Sequence, residues 1–234
     1  MYIIIAGGGI AGSAIANELI DRKHDVVVID INRDVCKELY ANYGIITVNG
    51  DARNIEILRE AGIHKADAAL GTLYMDSDNL TFALLAHSAK VPRILVKMRD
   101  PAYQEAYKVA GVDSICDMSS MFTNKMLIEL ESPQIKVVTT IEKGKALLVM
   151  FELPDTLPPE GIKVQDMVKD PAFATDCVFA GVMDEKQEKI VLPRGNDKLY
   201  PGNKVFLVVN SKGLSAIGEY LKKVEKQRKN SIKS

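Results

Sequence analysis

Three glycines and an aspartate carry the chemistry most legible in this chain. Gly7, Gly9 and Gly12 stand in the run Gly7-Gly8-Gly9-Ile10-Ala11-Gly12, and Asp30 closes a later apolar run. Glycine at the first position permits a tight turn. At the second it lets the backbone approach a pyrophosphate, and at the third it lets a helix pack close to a strand. The free N–H groups at a helix start then hold phosphate oxygens. A carboxylate after the next strand is placed to accept hydrogen bonds from an adenosine ribose. The chemistry is recognition of a nucleotide. The same glycines would also serve a bare turn in an α/β sheet, but strand, helix and acid all in register favour the ligand.

That spacing works only if the flanking residues form strand, loop, helix and strand in order. Residues 2–6 are apolar and rich in β-branched types, which predicts a strand buried on both faces. Ile15, Ala16, Leu19 and Ile20 recur at helical spacing, and residues 25–30 form a second apolar run. Further strands are expected at 45–49, 66–70, 93–97 and 114–116. Helices are expected around Ile55, Leu58 and Ala61, around Leu80, Leu84 and Leu85, from Pro101, and over 118–130. Asp76, Ser77, Asp78 and Asn79 read as N-cap residues of the second of these. Strand and helix alternating with short connections predict an α/β fold, a Rossmann-like doubly wound parallel sheet.

The composition changes near Glu131-Ser132-Pro133, so a first domain over 1–132 and a second over 133–234 are expected. The second reads as a small α+β module. Its strands are expected at 135–141, 146–153, 178–183, 189–192 and 205–209, with turns at 142–144 and between the third and fourth strands. A short helix is expected at 162–168 and a closing helix at 214–221.

Composition narrows the classes. Apolar content of 47% and charged content of 26% are ordinary for a globular protein. No apolar run approaches the ~18 residues of a membrane span. The chain enters a strand at once, without a basic region or a small-residue cleavage site, so no signal peptide is expected. Cys36, Cys116 and Cys177 are widely spaced, which suggests reduced thiols and no metal site. A net charge of −1 gives no general signal for nucleic acid. The tail from Lys222 to Ser234 is basic, as a solvated helix end or a contact to phospholipid or a partner.

Residues that could catalyse are scarce. His24, His64 and His87 have no triad-like or metal-like companion in sequence, and no Tyr-x-x-x-Lys pair falls on a suitable helix. A small NAD-dependent oxidoreductase is therefore the weaker alternative, and no helix-turn-helix points to a nucleic-acid partner. Lys97 and Arg99 follow a parallel strand, where side chains face the ligand crevice. They could be plain surface cations, but ligand contact by at least one of them is favoured. Met118, Met121 and Met126 suit either an adaptable partner surface or ordinary core.

An ordered series of short motifs then resembles one family. It comprises the opening glycine run, Val28-Ile29-Asp30-Ile31-Asn32, Asn49-Gly50-Asp51-Ala52 and Leu58-Arg59-Glu60-Ala61-Gly62-Ile63. Ala66-Asp67, Asp78-Asn79-Leu80, Lys97-Met98-Arg99-Asp100-Pro101 and Ala110-Gly111-Val112-Asp113 follow. Together they resemble the TrkA/KtrA family, the regulators of K⁺ conductance with RCK (KTN) domains. Leu192-Pro193-Arg194-Gly195, Leu199 and Pro201-Gly202-Asn203-Lys204-Val205 are similar to its C-terminal domain, with Asn203 where aspartate is usual. The resemblance implies a cytoplasmic subunit, peripheral on the inner face of the membrane, that binds NAD(H) or an adenine nucleotide (AMP, ADP or ATP). It implies gating of a membrane K⁺ transporter or channel, by dimers assembling to an octameric ring with copies of itself or a sister RCK subunit. By the same resemblance Gly7, Gly8, Gly9, Ile10, Ala11 and Gly12 form the phosphate loop, and Asp30 with Ile31 takes the ribose. Asp51 and Ala52 lie by the adenine, Thr72 and Leu73 line the pyrophosphate or second ribose, and Lys97 and Arg99 sit near the phosphate end. No catalytic or metal residue is implied. Ile10 stands where many members carry a phosphate-contacting arginine, which argues against a nucleoside triphosphate.

Overall fold

Ile3 and Ile5 pack into one apolar cluster and Ile4 and Ala6 into another, and all four are buried. A strand clothed on both faces is what a parallel sheet between two helical layers demands. The computed structural model describes residues 1–141, 145–169, 173, 176–184 and 189–231. The chain divides into two compact units, Met1–Ser120 and Met121–Ser234.

The first unit alternates β1 (Tyr2–Ala6), α1 (Ile10–Asp21), β2 (Asp25–Asp30), α2 (Arg33–Tyr43), β3 (Ile46–Asn49), α3 (Ile55–Glu60), β4 (Ala68–Gly71), α4 (Asp76–Ser88), β5 (Ile94–Met98), α5 (Gln104–Val109) and β6 (Ser114–Asp117). The sheet order is β3-β2-β1-β4-β5-β6, with every pairing parallel. The order reverses between β1 and β4. That is the switch point at which open α/β sheets bind ligands outside the carboxyl ends of their strands. The expected fold class therefore holds, and so does the existence of all six strands.

Local chemistry explains several helix starts. Asn32 and Asn54 accept hydrogen bonds from the N–H groups of Asp34 and Glu56, and Asp100 accepts from that of Ala102. α1, α4 and α5 start without a side-chain cap, and α4 departs from expectation. Its cap is Met75, which has no capping side chain, and the helix begins at Asp76 itself. The expected capping role of Asp76 and Asp78 is thus corrected, because both carboxylates are committed to partners across the crevice.

α6 (Met118–Glu131) carries the boundary between the units. The second unit holds β7 (Ile135–Ile141), β8 (Ala146–Glu152), β9 (Ile162–Lys163), α7 (Val164–Lys169), β10 (Cys177–Asp184), β11 (Lys189–Val191), β12 (Lys198–Leu199), β13 (Lys204–Val209) and α8 (Ser211–Ser231). Its main sheet is antiparallel, in the order β11-β10-β13-β8-β7. One face of that sheet packs Ile135, Val149, Phe151, Val205 and Leu207 into a core shared with Ile217 and Tyr220 of α8. The helix expected over 162–168 is shorter, because Ile162 and Lys163 pair with Leu199 and Lys198 as strands. The expected turns at 142–144 and 185–188 lie outside the described residues. No helix among the described residues is long and apolar enough to cross a membrane.

Candidate nucleotide site

The glycine run spans the turn from β1 into α1. Gly7 takes φ +101°, a left-handed conformation that a side chain resists. Its N–H donates to Ile29 O at 2.8 Å, tying the turn to β2. A Cβ on Gly12 would lie 1.9 Å from Gly7 O and 2.8 Å from Thr72 Oγ1, so only glycine lets α1 approach this closely. Around Gly9 the space is open. α1 has no side-chain cap and no acid in its first turn, so its leading N–H groups and the positive end of its dipole are left for an anion. Ile10 is 95% exposed and contributes backbone alone.

Asp30 ends β2 facing this loop. Its Oδ2 accepts from Gly8 N at 2.6 Å and its Oδ1 from Asn32 N at 2.8 Å. The carboxylate thereby braces the loop, while each oxygen retains acceptor capacity for a ribose hydroxyl. Beside it lies a pocket of about 110 Å³, lined by Asp30, Ile31, Asp51, Ala52 and Leu73 together with Arg53 and Asp78. The Arg53 guanidinium, hydrogen-bonded to Asp51, holds that carboxyl below the usual carboxylate range and so ionised at neutral pH.

Thr72 and Leu73 close the opposite wall. The Thr72 hydroxyl lies 2.9 Å from both Ala6 O and Gly7 O. Asn79, fully buried, accepts from Leu73 N at 2.9 Å and donates to Leu73 O at 3.0 Å and to Lys97 O at 3.2 Å. Lys97 Nζ donates to Thr72 O at 3.0 Å, and burial followed by the nearby Arg99 lowers its pKa. Arg99 lies 4.2 Å over the ring of Tyr74, and its hydrogen bond and then its charge make the Tyr74 hydroxyl more acidic. Asp76 fixes the backbone beneath, accepting from Arg99 N, from Asp100 N at 2.9 Å and from the Tyr107 hydroxyl at 3.0 Å. Burial and Asp76 together hold the Tyr107 phenol protonated.

The residues picked out by sequence thus meet around the carboxyl ends of β1, β2, β3, β4 and β5. Sequence reasoning missed Arg53, Tyr74, Asp76, Asn79 and Tyr107 as parts of this crevice. Only Arg53 had a signal to offer, a cation two residues beyond Asp51. Tyr107 is fully buried, and its hydroxyl is a working donor. His87 packs against the backbone of Gly111, where an added Cβ would meet its Nδ1 at 2.4 Å. Among the described residues no group of three His, Cys, Asp or Glu side chains could hold a metal ion.

The second unit offers a cleft of about 370 Å³ on the outer face of its sheet, lined by Lys136, Met150, Glu152, Asp155 and Lys204. Lys136, Glu152 and Asp155 are solvent-exposed. Asn203, where aspartate was expected, is buried and accepts from Tyr200 N at 2.9 Å, so the amide serves the turn.

Residues 3–117 match the model of the TrkA-N domain. A Trk system potassium uptake protein TrkA homolog from Methanothermobacter thermautotrophicus is 23% identical over 90% of this chain and 94% of its own length. A protein of the same description from Archaeoglobus fulgidus is 27% identical over 89% of this chain, which spans only 47% of that relative. Among solved structures, the GsuK channel superposes with a TM-score of 0.62 at 17% identity, over 92% of this chain and 38% of that one. The GsuK channel bound to NAD superposes at 0.59 and 18% identity, again over 92% of this chain and 38% of that one. At these identities the structural likeness establishes the fold.

Proposed function

We propose that this chain, which matches the TrkA-N domain over residues 3–117 and is similar to TrkA homologues along most of its length, is a cytosolic nucleotide-binding subunit that gates a membrane potassium transporter or channel. The observation that carries this reading is the arrangement at the switch point. An uncapped helix N-terminus behind Gly7–Gly12 faces Asp30, in a chain collinear with TrkA homologues over most of its length. Phosphates belong on the N–H groups of Ile10, Ala11 and Gly12, a ribose on Asp30 beside Ile31, and the base between Asp51–Ala52 and Leu73. Lys97 and Arg99 complete the phosphate end. NAD(H), ADP and AMP all present that common portion, and a neighbour of the same fold is described as bound to NAD.

Gating follows if the crevice has two geometries with different nucleotide affinities. A ligand shifts such an equilibrium only by its differential affinity for the two states. The pore subunit, itself in the membrane, would hold this chain at the inner face.

Two measurements test the reading. Titration calorimetry should show binding of NADH, ADP or AMP, and loss of the gene should lower K⁺ uptake at limiting external K⁺. No binding of any adenine nucleotide sinks the proposal. The oxidoreductase alternative would need Tyr74 or Lys97 to give a proton to the carbonyl oxygen of a substrate held beside the nicotinamide as hydride reaches its carbon. Steady oxidation of NADH with small carbonyl compounds, abolished in Tyr74→Phe, would establish that alternative instead.

A further inference from the structure

Arg53 is fixed from two sides at the wall of the small pocket. Its Nε lies 2.9 and 3.1 Å from the two oxygens of Asp51, and Nη2 donates to Asp51 Oδ2 at 2.7 Å. Nη1 donates to Asp78 Oδ1 at 2.9 Å. Asp51 is itself anchored, because its Oδ1 accepts from Arg53 N at 2.9 Å. The side-on pair with Asp51 sets the plane of the guanidinium. Asp78, in the first turn of α4, reaches the same group from the other side of the pocket.

Two physical consequences follow. First, the edges of the guanidinium are largely committed, so what remains for the pocket is its flat face. A guanidinium face stacks on aromatic rings, and an ammonium has no equivalent. Second, two carboxylates surround one cation, so this wall is net negative and does not attract phosphate. The phosphate-binding N–H groups are at α1, beyond Asp30. A ligand anchored there by its phosphates and on Asp30 by its ribose would bring its base to Arg53.

We propose that Arg53 is a base-contacting residue: its guanidinium, held flat by Asp51 and Asp78, stacks on the heteroaromatic base of the bound nucleotide. The proposal rests on the nucleotide reading of Gly7–Gly12 and Asp30, and adds the residue that senses the base. The ion triplet also links the β3–α3 connection to α4, so the base contacts both walls of the pocket through one side chain.

The test uses the full chain, with AMP as the probe that carries a base and ribose 5-phosphate as the probe that lacks one. Arg53→Lys keeps the charge and loses the plane, and Arg53→Met loses both. Each variant is first checked for an unchanged melting profile. Both are expected to bind AMP about 5- to 10-fold more weakly than the wild type by calorimetry, the range for a lost stacking contact. Ribose 5-phosphate, followed by ligand-observed NMR, is expected to bind all three proteins equally. Equal AMP affinity in wild type and Arg53→Lys overturns the proposal. An equal loss for ribose 5-phosphate also overturns it, because Arg53 would then act through charge. Failure of the wild type to bind AMP, ADP or NADH would instead overturn the nucleotide reading beneath it.

Discussion

In the proposed nucleotide site, Asp30 is the residue that selects the ribose. Its two oxygens already hold the N–H groups of Gly8 and Asn32, so the carboxylate cannot swing aside. A 2′-phosphate placed there would meet a fixed like charge. NADPH is therefore expected to bind at least about 10-fold more weakly than NADH, one pKa unit or more of repulsion. Calorimetry with the two cofactors checks this, and tighter NADPH binding would show that Arg33 reaches the phosphate instead. Ile10 decides the other end. It is fully in solvent and offers no donor to a third phosphate, so ATP and ADP are expected to bind within roughly 3-fold of each other under equal Mg²⁺. Ile10→Arg is expected to favour ATP, and a strong ATP preference in the wild type would sink the argument. Glycines and Asp30 were legible in the sequence because their roles are backbone roles with fixed spacing. Tyr74 and Asp76 were not, because each acts on a residue brought close only by the folded crevice, and Arg53 offered only its nearness to Asp51, since its contact with Asp78 arises from the fold. Asp78 illustrates the limit: its type and position suit an N-cap, and tertiary pairing with Arg53 overrides that preference.

At the scale of elements, one contact governs the site. α1 and β1 meet where Gly12 faces Gly7 O, and Thr72 from the end of β4 stands against both. Gly12→Ala would put a methyl group inside the van der Waals radius of that carbonyl, and backbone cannot yield as a side chain does. Destabilisation of about 2–3 kcal/mol is expected, a fall in melting temperature on the order of 10 °C for a domain of this size. Nucleotide affinity should fall with it, since α1 must move away from the anion it holds. A melting curve unchanged in Gly12→Ala would show that the helix tolerates the shift. Elements in the first half were legible because alternation of apolar strands and amphipathic helices reports burial directly, as Ile3 to Ala6 show. Boundaries were less so. β4 starts at Ala68 and not at Ala66, and Asp67 before it ties back to Tyr2 twice, by its N–H to Tyr2 O and by its carboxylate to Tyr2 N. β9 was missed because two residues carry no periodicity, and only pairing with β12 makes Ile162–Lys163 a strand.

At the scale of the whole molecule, α6 presents exposed apolar side chains. Met121, Phe122, Leu127 and Leu130 of this helix are all at least half exposed, with Leu130 at 76%. Apolar side chains clustered this densely on one helix exceed what a monomer usually leaves in water, and they mark a partner surface. The two readings of its methionines are thus separated for one chain: Met118 and Met121 are exposed, and Met126 is partly buried. A second copy is the simplest partner, because isologous pairing buries the same patch twice. This chain holds one glycine fingerprint, one ribose acid and one C-terminal module. A gating ring of the octameric kind that the family resemblance implies would be assembled from copies of this chain, all alike or mixed with a sister subunit. The expected states are a dimer in isolation and a ring when the pore or sister subunit is present. Met121→Glu combined with Leu127→Glu should disperse the assembly to monomers, because burying like charges against one another is prohibitive. Nucleotide binding should survive, since the crevice draws on residues before α6. Light scattering on both proteins, with nucleotide present, reads the outcome. A wild type that stays monomeric at high concentration with nucleotide bound would mean that α6 meets some other chain, and that the self-assembled ring is wrong.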